Sequence, residues 1–135
     1  MISHLLDTSA LLAHYFAESG ADIVQRLFES KSHEIGVSVI SIPEMRGRLR
    51  VEIGDISEVG SVCSHYFDVL ASHVVIDRSV AECAEHIRQS TKKRLPLIDA
   101  VIAACALDRN AVLVHKDPHM STIPTSVVEQ IVLPE

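Results

Sequence analysis

The stretch at residues 95–107, Leu-Pro-Leu-Ile-Asp-Ala-Val-Ile-Ala-Ala-Cys-Ala-Leu, is apolar except at Asp99. Its length and the proline near its start predict a helix that begins at Pro96. A helix that is apolar on every side is buried, and an unpaired carboxylate there costs several kcal/mol or becomes protonated. The helix dipole stabilises a first-turn acid by only about 0.3–1 kcal/mol. Asp99 therefore needs further compensation from its surroundings.

Around this helix, short aliphatic runs alternate with longer amphipathic stretches. The aliphatic runs predict buried strands at Ile2–Leu6, Gly36–Ile40, Val74–Ile76 and Ala111–Val114, and an edge strand at Val127–Leu133. Helical periodicity covers Ala10–Phe16, Ala21–Ser30, Pro43–Ile53, Ile56–Ala71, Val80–Lys93 and Pro96–Arg109. Capping boxes at Ser41–Glu44 and Ser79–Glu82 mark two helix starts. The alternation predicts an α/β fold whose parallel sheet is covered by helices on both faces.

The composition predicts one folded domain over residues 1–135. Hydrophobic residues make up 47% of the chain and charged residues 22%, which disfavours disorder. The chain has 12 Lys and Arg against 18 Asp and Glu, a formal net charge of −6. This charge argues against a protein that binds duplex DNA by neutralising phosphates over a broad surface. It does not exclude a nuclease.

The cysteines and the chain start favour a soluble, cytoplasmic protein with no membrane partner. Cys63, Cys83 and Cys105 are odd in number and widely spaced, which is typical of small, buried, reduced thiols. The first residues carry no basic segment followed by an apolar signal core. The longest apolar run, Ala100–Leu107, is far shorter than the ~20 residues of a membrane-spanning helix.

Three carboxylates follow the ends of predicted strands. Asp7 comes directly after the first strand, Glu44 shortly after the second, and Asp117 shortly after the run that ends at Val114. In a parallel sheet all three would leave at the carboxyl edge, where open α/β sheets bind ligands. With Asp99 they form a candidate site. Four close carboxylates repel one another unless a cation lies among them, and oxygen ligands suit Mg²⁺ or Mn²⁺.

Each acid also has a purely structural interpretation. Asp7 can cap the next helix, and Glu44 can be the capping-box partner of Ser41. Asp99 can be a first-turn dipole acid, and Asp117 can form a turn. The four together favour a site, because four independent roles would otherwise place acids at one sheet edge by coincidence.

These residues resemble the PIN domain, most closely its small bacterial and archaeal members, the VapC-type ribonuclease toxins. The resemblance rests on Asp7-Thr8-Ser9, on Glu44 at a helix start, on the block Leu95–Ala103 around Asp99, and on Asp117 after a late strand. It implies a three-layer α/β/α fold around a parallel sheet of about five strands. One position departs from the family pattern, since a small hydroxyl residue usually stands where this chain has His115.

The resemblance implies a metal-dependent endoribonuclease that cleaves single-stranded RNA and leaves a 5′-phosphate and a 3′-hydroxyl. The candidate catalytic and metal-binding residues are Asp7, Glu44, Asp99 and Asp117. The three aspartates would bind one or two Mg²⁺ or Mn²⁺ ions, and Glu44 would be a further ligand or orient the attacking water. Thr8 and Ser9 would hydrogen-bond a carboxylate or a metal-bound water, or cap the helix.

Basic residues cluster beside the candidate acids. They are Arg46, Arg48 and Arg50 after Glu44, and Lys92, Lys93 and Arg94 before Asp99. The grouping predicts a phosphate-binding rim for RNA formed by Arg46, Arg50, Lys92, Lys93 and Arg94. Ordinary solvated charges are the alternative for each residue taken singly. Aromatic residues make up only 4% of the chain, which favours recognition of RNA backbone and shape over base stacking.

The middle of the chain is the candidate association surface. Helices at Pro43–Ile53 and Ile56–Ala71 would form a hairpin that leaves apolar surface for self-association. In VapC-like proteins this region contributes to dimerisation and antitoxin docking. The resemblance therefore implies a homodimeric toxin that is paired with a protein antitoxin.

His115 and His119 flank Asp117 and raise the alternative of a transition-metal site. No cysteine or further histidine has the spacing that would complete a tetrahedral site. We therefore expect His115 to pack at the strand end and His119 to be exposed.

Four other functions are compatible with parts of the pattern. The chain could be a PIN nuclease that processes RNA without being a toxin, or a non-catalytic PIN-like scaffold, although a scaffold would be expected to lose acids. A Mg²⁺-binding phosphoacceptor receiver domain normally has an acidic pair after its first strand, and here Leu6 precedes Asp7. A phosphatase of the haloacid-dehalogenase type needs a second aspartate where this chain has Ser9.

Overall fold

The computed structural model describes residues 1–135, and a five-stranded parallel sheet forms its centre. The strands are β1 (His4–Leu6), β2 (Ile35–Ser38), β3 (Ser72–Val74), β4 (Val112–His115) and β5 (Gln130–Val132). They lie in the order β3-β2-β1-β4-β5, with every neighbouring pair parallel. Leu6 at the end of β1 pairs with Val37 on one side and Val114 on the other. Strands β1, β2 and β4 thus end side by side at one edge of the sheet.

Six helices connect the strands, as the periodicity predicts. They are α1 (Thr8–Tyr15), α2 (Ala21–Glu29), α3 (Ser41–Glu52), α4 (Ile56–Ser64), α5 (Arg78–Ser90) and α6 (Leu97–Asp108). A π-helix at His65–Leu70 continues α4, and a 3-10 turn at Met120–Thr122 precedes β5. No helix combines the length and the hydrophobicity that crossing a membrane requires.

The sheet separates two apolar cores because side chains alternate between its faces. Leu5 and Leu113 face the core formed with α5 and α6. Their neighbours Leu6 and Val114 face the opposite core, which contains residues of α1, α2, α3 and α4. The predicted α/β fold class, with a central parallel sheet of five strands covered on both faces, is confirmed.

Helix α6 is the apolar helix that the sequence predicts. Pro96 precedes its first residue, and six of its residues, Ala100 and Ile102–Ala106, are buried. Asp99 lies in its first turn. The helix packs against α5 and the sheet, so the start of α6 delivers Asp99 to the edge where the strands end.

Both predicted capping boxes are wrong. Ser41 lies inside α3 and caps nothing; its buried hydroxyl instead contacts Thr8 Oγ1 at 3.0 Å. Helix α5 is capped by Asp77, whose carboxylate accepts from the Val80 N–H at 3.0 Å, while Ser79 bonds to Asp108. Asp77 lies two residues before Ser79, and its carboxylate is a stronger acceptor than a serine hydroxyl.

Several predicted boundaries also shift. The predicted strand Val74–Ile76 is in fact Ser72–Val74, because Val75 and Ile76 are exposed. The edge strand is shorter than Val127–Leu133, and the helix predicted at Ile56–Ala71 changes to a π-helix after Ser64. Two of the three cysteines are buried, as predicted, but Cys83 is only half-buried.

Candidate functional site

All four predicted acids line one cleft at the carboxyl edge of the sheet. Asp7 directly follows β1, and Asp117 follows the neighbouring strand β4 by two residues. Glu44 and Asp99 lie in the first turns of α3 and α6. The cleft has a volume of ≈ 270 Å³ and is lined by Asp7, Thr8, Ser9, Leu12, Glu44, Asp99, Ile102 and Asp117. Four separate chain segments thus bring carboxylates to one place.

Asp7 is the buried acid of the cleft, with a relative exposure of 2%. Its backbone N–H donates to Val114 O at 3.0 Å, which ties it to β4. Its carboxylate caps α1 by accepting from the Ala10 N–H at 2.8 Å. The capping role proposed as an alternative therefore exists together with the position in the cleft.

Burial raises the pKa of the Asp7 carboxyl to about 7, although hydrogen bonds from Ser9 and Ala10 lower it and the charge of Asp117 raises it. Burial thus favours the neutral form of the metal-free carboxyl. A cation next to it would restore the ionised form.

Ser9 connects the two strand ends. Its hydroxyl donates to the carboxylate of Asp7, with Oγ–O distances of 2.7 and 2.8 Å. The same oxygen accepts from the Lys116 N–H at 2.8 Å. Ser9 therefore holds Asp7 and the segment that carries Asp117 in a fixed relation.

Thr8 hydrogen-bonds Glu44, as Ser9 does Asp7. Its Oγ1 donates to Glu44 Oε1 at 2.6 Å. Glu44 itself is exposed, so this bond restricts an otherwise solvated carboxylate. Neither Thr8 nor Ser9 caps α1, because Asp7 does.

Asp99 is half-buried, and burial raises the pKa of its carboxyl to about 6. The negative charges of Asp117 and Glu44 raise this pKa further, whereas His119 lowers it. The surroundings of Asp99 thus disfavour its ionised form. Its one ionic partner is His119, whose Nδ1 lies 3.5 Å from Asp99 Oδ2.

His115, the departure from the family pattern, orients the backbone of Asp117. Its Nδ1 accepts from the Asp117 N–H at 3.1 Å. Its Nε2 lies 2.8 Å from Gln130 Oε1 and donates to it. Burial lowers the pKa of His115, which favours this neutral form. The predicted packing of His115 at the strand end is confirmed, since it is fully buried.

His119 is exposed as predicted, with 62% of its side chain accessible, but it also reaches the cleft. Its Nδ1 lies 3.6 Å from Asp117 Oδ1, and its backbone N–H donates to that same oxygen at 2.7 Å. Spacing rules for tetrahedral sites miss this residue. The signal in the sequence is the turn Asp117-Pro118-His119, which places the residue two positions after an aspartate beside its carboxylate.

The predicted basic rim does not assemble around the acids. None of Arg46, Arg50, Lys92, Lys93 and Arg94 lines the acidic cleft. Arg46 borders a depression on α4. Lys92, Lys93 and Arg94 line a separate cleft of ≈ 560 Å³ between α5 and α6, which also includes Leu97. The two clefts share no lining residue, although Leu97 of the second cleft lies two residues before Asp99.

The acids have no lysine or arginine partner that would neutralise them. Lys116, the nearest in sequence, donates from Nζ to Ser19 O at 3.0 Å. Asp99 and Asp117 pair only with His119, and Asp7 and Glu44 form no ion pair. Close carboxylates with two raised pKa values and no fixed cation form a donor set that fits a hard divalent ion.

Comparisons with known proteins agree with this arrangement. A family model described as PIN domain matches residues 4–125. No match was found among curated proteins. A chain of VapBC2 from Rickettsia felis, solved bound to a promoter DNA fragment, has a TM-score of 0.74 at 18% identity, over 96% of this chain and 98% of that chain.

Two further solved structures have the same fold. A chain of VapBC-1 from nontypeable Haemophilus influenzae has a TM-score of 0.75 at 15% identity, with 98% of each chain covered. VapC20 from Mycobacterium tuberculosis, described as a toxin that cleaves the sarcin-ricin loop, has a TM-score of 0.70 at 18% identity, over 98% of this chain and 100% of that chain. At these identities the likeness concerns the fold.

Proposed function

The chain belongs to the PIN domain family, and from this premise we propose that it is a metal-dependent endoribonuclease that cleaves single-stranded RNA. The observation that carries the proposal is the convergence of Asp7, Glu44, Asp99 and Asp117 in one cleft. Acids from four segments without a fixed cationic partner are what a metal-assisted phosphodiesterase requires. The VapC20 toxin, which has a similar fold, is described as cleaving the sarcin-ricin loop.

In this proposal Asp7, Asp99 and Asp117 hold one or two Mg²⁺ or Mn²⁺ ions. When bound, such an ion lowers the pKa of a water molecule and stabilises negative charge on the phosphate. Ser9 keeps the two oxygens of Asp7 oriented towards the cleft, since it donates to both. His115 fixes the backbone of Asp117. The chain thus prepares the ligand geometry before metal and substrate bind.

Glu44 suits the role of orienting the attacking water. It is the exposed acid of the four, and Thr8 restrains only one of its oxygens, Oε1. A water that donates to Glu44 attacks phosphorus, the bond from phosphorus to the 3′ oxygen breaks, and Glu44 accepts the proton of the water. The products are a 5′-phosphate and a 3′-hydroxyl, whose oxygen takes a proton from solvent.

RNA would approach from the side of the second cleft. Lys92, Lys93 and Arg94 are exposed and immediately precede α6, which carries Asp99. These cations can bind the phosphates that flank the scissile bond. Arg46 and Arg50 lie on α3 beyond Glu44 and would contact a longer RNA.

As one cytoplasmic domain, the protein would act as the toxin of a toxin–antitoxin pair. The support comes from structural neighbours, since VapBC complexes share this fold. Exposed Val51, Ile56 and Val69 lie along α3, α4 and the π-helix and suit a homodimer contact or an antitoxin. A small reading frame for a DNA-binding antitoxin beside the gene would support the toxin role over RNA processing.

Cleavage of single-stranded RNA by the purified protein tests the proposal. We expect the wild type to cleave with Mg²⁺ or Mn²⁺ and not with EDTA. Asp7→Asn and Asp99→Asn should not cleave even with the metal present. Asp68→Asn, which changes an exposed acid outside the cleft, is the matched control and should cleave like the wild type. Full activity in both cleft variants would overturn the assignment.

A further inference from the structure

His119 is placed among the acids by a short turn. Ligand atoms of Asp99, Asp117 and His119 all lie within 4.8 Å of one another. The backbone N–H of His119 donates to Asp117 Oδ1 at 2.7 Å, which folds the segment so that the ring returns to the carboxylates. This backbone bond holds His119 next to Asp117.

The ring atom that points to the acids is a possible ligand atom. Nδ1 of His119 lies 3.5 Å from Asp99 Oδ2 and 3.6 Å from Asp117 Oδ1. These distances exceed those of a close N–H···O bond. They leave room for a small ion that contacts all three groups. His115 differs, because both of its ring nitrogens are already hydrogen-bonded.

Building on the proposed function, we propose that His119 Nδ1 is a ligand of the ion held by Asp99 and Asp117, and that it makes this site prefer Mn²⁺ to Mg²⁺. Mg²⁺ takes oxygen ligands and keeps much of its water shell. Mn²⁺ also prefers oxygen ligands, but as a first-row transition ion it accepts an imidazole nitrogen more readily than Mg²⁺ does, and the affinity for such sites rises further from Mn²⁺ to Cu²⁺. An exposed histidine that faces two carboxylates therefore changes an all-oxygen donor set into a mixed one.

Pulsed EPR of the Mn²⁺-loaded full-length protein tests the ligand directly, because a coordinated imidazole nitrogen gives a ¹⁴N coupling to the metal. We expect this coupling in the wild type and its loss in His119→Ala, which keeps the backbone bond to Asp117. His86→Ala removes an exposed histidine from α5 and should keep the coupling. A wild-type spectrum without a nitrogen coupling would overturn the inference.

Metal affinity tests the preference. By calorimetry, His119→Ala should weaken Mn²⁺ binding by about 10-fold or more and Mg²⁺ binding by less than about 3-fold. Equal losses for both ions, or no loss, would contradict a selective nitrogen ligand.

The two proposals fail in different ways. If the wild type cleaves RNA but shows no nitrogen coupling, only the role of His119 is wrong. If the nitrogen coupling is present and RNA is not cleaved, the ligand assignment stands and the nuclease assignment falls. If the protein binds no Mn²⁺ and cleaves no RNA, both are wrong.

Discussion

The two sides of the acidic cleft are built in different ways. On one side Asp7 is buried, tied to β4 through its backbone, and bonded to Ser9 and Ala10. On the other side Asp99 and Asp117 are half-buried, and their side chains meet only the exposed His119 as an ionic partner. The position of Asp7 thus depends on the sheet and on buried hydrogen bonds, whereas the position of His119 depends on a short turn. A change on the first side should therefore affect stability and activity together, and a change at His119 should affect the affinity and choice of the metal ion more than stability.

The largest expected effect is the pH dependence of stability that Asp7 produces in metal-free protein. Burial raises the folded-state pKa of Asp7 from 3.8 to about 7. Between these values the folded state binds more protons than the unfolded state, so stability falls as pH rises from about 4 to 7. Asn does not titrate, so the free energy of unfolding of Asp7→Asn minus that of the wild type should rise by roughly 2–4 kcal/mol from pH 4 to pH 8.

Urea denaturation in EDTA at several pH values measures this difference. Saturating Mn²⁺ should reduce it, because the ion binds the ionised carboxyl of the wild type. Asp68→Asn, which changes an exposed acid outside the cleft, is the matched control. A constant difference between wild type and Asp7→Asn would show that the Asp7 carboxyl does not titrate abnormally.

The next effect is that of Ser9→Ala. The substitution removes the hydroxyl between Asp7 and the Lys116 N–H. Removal of such a supporting group from a metal ligand should lower RNA cleavage by about 10–100-fold. The free energy of unfolding should also fall by about 1–3 kcal/mol, because the Asp7 carboxylate and the Lys116 N–H lose a hydrogen-bond partner. Cleavage rates and urea denaturation at one pH measure both changes.

Thr8→Val is the matched comparison and should have the smaller effect on cleavage. It removes the bonds of Thr8 Oγ1 to Glu44, which remains solvated, and to the buried hydroxyl of Ser41. The loss of the second bond should lower the free energy of unfolding by about 1 kcal/mol. Cleavage should fall less than in Ser9→Ala. A larger loss in Thr8→Val than in Ser9→Ala would reverse the proposed contrast between the two sides.

Much of this cleft was predictable, because it follows from strand ends. Asp7 comes directly after a buried aliphatic run, and parallel pairing brings it beside Asp117. Asp99 stands out because its helix is otherwise apolar. These inferences need only local periodicity and the rule that parallel strands end at one edge.

The remaining features depend on the direction in which side chains project in the folded protein, and local sequence patterns do not determine that direction. Ser41 resembles a helix cap, yet its hydroxyl is buried against Thr8. Lys92, Lys93 and Arg94, which precede Asp99, and Arg46, which follows Glu44, line other clefts. His119 reaches the acids because a turn reverses the chain after Asp117.

Anomalous diffraction from crystals soaked in Mn²⁺ tests most directly whether acids from separate chain segments form one metal site. We expect a Mn²⁺ peak in the cleft with Asp7, Asp99 and Asp117 among its ligands. The absence of a peak at a Mn²⁺ concentration that supports RNA cleavage, or a peak only outside this cleft, would contradict it.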